Sequence, residues 1–112
     1  MSGFVYVGYN KEFQRNVYKI GCTKRSVEQR LKEMSANVPY EIQEYYKEKF
    51  DNVQSAERLI HEFLQNYRIK NELFRIPSRE LSEINSAFKH ARDVLDEESS
   101  DSEYFPSDVD DE

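Results

Sequence analysis

Apolar and polar positions change period several times along the chain, and each change marks an element. Residues 3–9, Gly-Phe-Val-Tyr-Val-Gly-Tyr, are β-branched and aromatic and predict a strand. Residues 10–16 are polar and charged apart from Phe13 and predict a hairpin-like loop. Residues 17–22 predict a second strand, antiparallel to the first. That pairing could bring Tyr6 and Tyr18 into one cleft. Ser26 followed by Gln29 is a capping box, and the helix it opens runs to about Ala36 with Val27, Leu31 and Met34 on one face. Arg30 lies about 65–70° from the centre of that face, on the border between core and solvent. Asn37-Val38-Pro39 ends the helix.

Residues 40–50 place Ile42, Tyr45, Tyr46 and Phe50 among polar neighbours and predict a third strand with a polar outer face. Asp51 or Asn52 caps the next helix. Ala56, Leu59, Ile60, Phe63 and Leu64 follow helical spacing closely, with Glu57 and His61 one turn apart on the flank. Residues 66–71 read as a basic, polar connection, and 72–76 as a short fourth strand or edge. Pro77 and Ser78 open a last helix whose stripe is Leu81, Ile84, Phe88, Ala91 and Leu95. From about Glu97 the chain is rich in Ser, Asp and Glu, which predicts disorder. The expected fold is α+β: a small, mostly antiparallel sheet of three strands plus the short fourth, flanked by three helices. One domain should span 1–96, followed by an acidic disordered tail over 97–112.

Composition sharpens this in three ways. The 112 residues are 38% hydrophobic and 34% charged, so a small core sits under a heavily charged surface. The single cysteine, Cys22, excludes an intramolecular disulfide and makes an intracellular home the default. No apolar run approaches the roughly 18 residues of a membrane span, and no signal pattern opens the chain, so neither a membrane nor secretion is expected. One Cys and two distant His do not make a zinc set. The net charge of −6 conceals a division: ten of the 22 acidic residues lie from Asp93 onward, where there is no Lys or Arg. Residues 1–92 thus set all 16 basic residues against 12 acidic ones, a net of +4. A mildly basic body permits a polyanionic partner, and the acidic tail could compete with it for the same cleft.

Hydrolysis of a phosphodiester needs a water that sheds its proton and positive charge on the phosphate and leaving oxygens. Carboxylates can hold a divalent metal for this, and an arginine can clamp the phosphate. The chain offers Tyr18-Lys19-Ile20-Gly21 at the end of the second strand, then Arg30, Glu57, His61 and the run Glu72-Leu73-Phe74 in order. This ordered set resembles the GIY-YIG nuclease superfamily, and in particular its phage- and virus-associated branch, which reads Y-K-I-G and carries a histidine one turn after the metal-binding glutamate. The likeness covers roughly residues 3–76. It departs at the first motif, which is Phe4-Val5-Tyr6 after Gly3.

The resemblance implies a GIY-YIG-like fold and a metal-dependent DNA endonuclease. Glu57 would hold one Mg²⁺ or Mn²⁺, and Arg30 the scissile phosphate. Tyr6 and Tyr18 would activate or position water or phosphate, with His61 as an auxiliary acid/base or phosphate contact. Gly21 would let the backbone pass close to the site. Asn66 and Asn71 straddle the place of a family asparagine, and Asn71 is carried as a motif residue. Lys19, Lys24, Arg25 and Lys32, near Arg30, could line a nucleic-acid groove. A protein partner would supply specificity, and the oligomeric state is open. The competing class is a catalytically inactive module of the same fold that binds nucleic acid or a protein.

Overall fold

The computed structural model describes residues 2–10, 16–36, 38 and 41–103, with side chains as far as residue 96. β1 (Gly3–Tyr9) and β2 (Val17–Thr23) pair antiparallel, with Tyr6 opposite Gly21 and Tyr9 opposite Tyr18. The middle of the loop between them lies outside the described residues. Asn16 closes that loop at φ 64, a left-handed conformation that asparagine tolerates. β3 (Gln43–Phe50) pairs with the other side of β1, with a bulge between Val7 and Gly8. It starts at Gln43, because residues 41 and 42 are not yet in the ladder and residue 40 lies outside the described set.

The sheet has five strands, not three and a short fourth. β4 (Arg68–Lys70) and β5 (Leu73–Arg75) form a hairpin, and β5 docks on β2, giving the order β3-β1-β2-β5-β4 with every neighbour antiparallel. Part of the stretch expected to be a polar connection is therefore strand. All three β4 residues are exposed, and the alternation of Arg-Ile-Lys is too short to announce a strand. Its backbone pairing with β5 holds it. Asn71, at φ 52, makes the turn.

α1 (Val27–Ser35) opens as expected, with Ser26 Oγ accepting from Gln29 N–H at 2.9 Å. It lays Val27 and Leu31 over Tyr6. α2 (Val53–Phe63) is capped by Asn52, whose side chain accepts from Ser55 N–H. It buries Val53, Ala56 and Ile60 on the opposite face of the sheet. α3 (Ser82–Glu103) packs on α2, and its Ile84, Ala87, Phe88 and Ala91 complete that core. Each large apolar side chain buried there contributes about 1.5–3 kcal/mol. The helix extends past the boundary expected at 96/97 as far as Glu103, and residues 104–112 of the acidic tail lie outside the described residues. Among the described residues no helix is long and apolar enough to cross a membrane.

Candidate active site

Side chains alternate across a strand. Because Tyr6 stands opposite Gly21 and Gly8 opposite Lys19, these four positions share the face that α1 covers. Beyond the small cluster of Tyr6, Val27 and Leu31 this face opens into a cleft of about 600 Å³. Gly8, Lys19, Arg30, Met34, Lys70 and Glu72 are among its lining residues. Tyr6 is buried under α1 behind two of these lining residues, its hydroxyl donating to Met34 Sδ at 3.5 Å with the Arg30 guanidinium beside it. Burial pushes the Tyr6 phenol above its ordinary pKa, and Arg30 pulls it back less strongly. The phenol therefore keeps its proton at neutral pH and acts as a donor. A Cβ on Gly21 would stand 2.7 Å from Tyr6 Oη and 2.9 Å from Glu72 Oε1, so glycine is what lets these two groups meet the strand. Lys19 Nζ lies 3.2 Å from Glu72 Oε1.

The other half of the site wraps around an open edge. β5 pairs with β2 only along Val17–Lys19, and Ile20 N–H to the Glu72 carbonyl, at 2.9 Å, is the last rung. Past that point α2 comes alongside β2. His61 Nε2 is 2.8 Å from the Ile20 carbonyl, which can only accept, so Nε2 carries the proton and ties helix to strand. One turn earlier, Glu57 Oε2 is buried and has no hydrogen-bond partner among the described residues, the His61 Nε2 being 4.0 Å away. Burial first, and Glu72 next, push the Glu57 carboxyl above its ordinary pKa, opposed by His61 and the Cys22 thiol. Burial and then Glu57 push Cys22 itself up to about 11, so it stays a thiol. Glu72 thus touches both halves, through Gly21 and Lys19 on one side and Glu57 on the other.

Of the residues singled out in the sequence, the structure brings together Tyr6, Arg30, Gly21 and Lys19, with Asn71 on the cleft rim. Glu57 and His61 join them around the edge. Tyr18 does not join them. It is three positions from Gly21, an odd spacing, so it faces the α2/α3 side, packed against Tyr9 at 6.3 Å and Tyr45 at 5.5 Å between ring centroids. Lys24, Arg25 and Lys32 do not line the cleft either. Arg25 is held in a two-pronged pair with Glu33, both contacts at 2.8 Å, and Lys24 and Lys32 point into solvent. The residue that sequence reasoning left without a role is Glu72. Its signal was its place beside a turn-forming Asn71, but the rung to Ile20 that aims it spans 52 positions and is invisible locally.

Among the described residues no three His, Cys, Asp or Glu side chains gather as a metal cage. The orphaned, buried oxygen of Glu57 beside a second carboxylate nevertheless fits a hard divalent cation held by few protein ligands, with water filling the remaining positions. No curated protein and no solved structure matches the chain. One family model does: that of the T5orf172 domain, over residues 3–106.

Proposed function

The chain belongs to the T5orf172 domain family, a phage-associated, nuclease-like family, and from that premise we propose that it is a divalent-metal-dependent DNA endonuclease of GIY-YIG type. The observation that carries the reading is the unpartnered Glu57 Oε2, buried next to Glu72 and around one strand edge from Arg30 and Tyr6. Arg30 lines the cleft and clamps the scissile phosphate through its planar fork. Tyr6, protonated behind Arg30 and Met34, would turn its hydroxyl from Met34 to the attacking water or a phosphate oxygen. Lys19 balances Glu72 and adds positive charge beside the phosphate. A Mg²⁺ or Mn²⁺ held by Glu57 and Glu72 would supply the charge that offsets the phosphate and leaving oxygens. His61, with Nε2 engaged by the Ile20 carbonyl, is a positioning residue that fixes the helix carrying Glu57. Tyr18 has no part in this chemistry. A body this small leaves recognition of particular sequences to a protein partner.

Plasmid nicking with Mg²⁺ or Mn²⁺ tests it. Wild type should nick only with metal, and Glu57→Ala should be slower by about 10²-fold or more. DNA bound by both proteins and cut by neither would make the chain a binding module of the same fold. Cutting that survives in Glu57→Ala would remove Glu57 from the site.

A further inference from the structure

β4 places Arg68 and Lys70 on either side of Ile69, all exposed, at the outer edge of the sheet. Residues two apart in a regular strand face the same side. Here Arg68 stands opposite Phe74 and Lys70 opposite Leu73, so two steps on β4 answer one step on β5. That is a bulge, a device that re-aims side chains. Phe74 belongs to the α2/α3 core, and the Arg68 guanidinium lies over its ring at 5.9 Å from the centroid. Arg68 lines a second cleft there, of about 300 Å³, together with Glu57, Arg58 and His61. Its Nε donates to the Asn71 carbonyl at 2.5 Å, which ties the guanidinium to the turn. Lys70 instead lines the α1-side cleft with Lys19 and Arg30. Two cations on one short strand therefore serve the two clefts that flank the Glu57/Glu72 carboxylates.

We propose that the β4–β5 hairpin is a clamp on the DNA backbone, with Arg68 holding a phosphate on one side of the scissile position and Lys70 a phosphate on the other. One strand then crosses the sheet edge over Glu72. The placement of the scissile phosphate rests on the nuclease reading, whereas the clamp itself is a binding site and is tested by binding alone. A basic edge that merely discourages strand pairing needs no such division between faces.

The experiment uses the full chain, a fluorescent 20-base-pair DNA duplex and excess chelator, so that nothing is cut, with affinity measured by anisotropy across a salt series. Arg68→Ala and Lys70→Ala should each weaken binding about 3- to 10-fold and lower the slope of log K against log salt by about 1. Single neutral methylphosphonates are then scanned along the duplex. The effect of Arg68→Ala should vanish with the substitution at one phosphate, and that of Lys70→Ala at a different one. Affinities and slopes within twofold of wild type, no binding by wild type, or loss of both effects at the same phosphate would overturn the clamp. Clamp behaviour without metal-dependent nicking would sink the nuclease reading alone. Nicking with unchanged Arg68→Ala and Lys70→Ala binding would sink the clamp alone.

Discussion

The two faces of the sheet are built from the same strands and do opposite things. On the α2/α3 face, Val5, Val7, Ile20, Phe50, Ile60, Leu64, Phe74, Ile84 and Phe88 form one continuous buried core. On the α1 face the buried cluster stops at Tyr6, Val27 and Leu31, and the surface falls away into a cleft lined by Lys19, Arg30 and Glu72. Within β1 the odd positions Val5, Val7 and Tyr9 feed the core, and the even ones are Phe4, Tyr6 and Gly8. Alternation along one strand thus separates the buried core from the proposed cleft chemistry, and a substitution should report its face by which property it damages.

The largest effects should fall on opposite properties. Phe74→Ala should destabilise the protein by about 3–5 kcal/mol in a urea melt, a large share of the stability of a domain this size. Arg30→Ala should change stability by less than about 1 kcal/mol and slow nicking by about 10²–10³-fold. An Arg30→Ala protein as unstable as Phe74→Ala would end the separation of faces. The tyrosines sharpen it further, because they differ only in parity. Tyr6→Phe should slow nicking by about 10²-fold, whereas Tyr18→Phe should leave it within about twofold, by the usual worth of a positioned proton donor. Equal losses would put Tyr18 back in the cleft.

The smallest effect concerns Glu57, where the faces meet. Its carboxyl is raised above its ordinary pKa, so the native state binds that proton more tightly than the unfolded chain does. This contribution to stability is greatest below the ordinary carboxylate pKa and is lost as pH rises through it towards the native value. At neutral pH the ionised, buried group is a burden. Glu57→Gln should therefore melt higher than wild type at pH 7.5 without metal, and the gap should close towards pH 4. Mn²⁺ should raise the melting temperature of wild type and not of Glu57→Gln. A gap that widens on acidification would show that the carboxyl is not raised.

What could be read from the sequence follows how local each signal is. Ser26 and Gln29 start α1 from three residues apart, and the stripe from Ala56 to Leu64 is strong enough to stand without context. Arg30 and Glu57 are singled out by the ordered likeness, and their places on those two helices are legible because both helices are. β4 escapes a reading of the sequence because the alternation of Arg-Ile-Lys is three residues long and buries nothing. Tyr18 was misplaced although its odd spacing from Gly21 was in plain view, because only the pairing of Gly21 with Tyr6 turns that spacing into a face. Arg25 reads from the sequence as a groove-lining cation because its partner, Glu33, lies eight residues along and on a different element.

The hairpin that carries Glu72 has an uneven hold on the rest of the molecule. β1 is laced to neighbours on both sides along its whole length, while β5 meets β2 over three pairs and β4 hangs from β5 with no buried side chain of its own. Opening in a folded protein is graded, and the least laced parts open at the smallest free energy. Amide hydrogens of β4 should therefore exchange with solvent long before those of β1. Bound DNA should slow the first and leave the second unchanged. On the proposed reading, the second carboxylate and both clamp cations sit on the strip that should open first, so a cut strand would be let go by loosening the hem without disturbing the cloth.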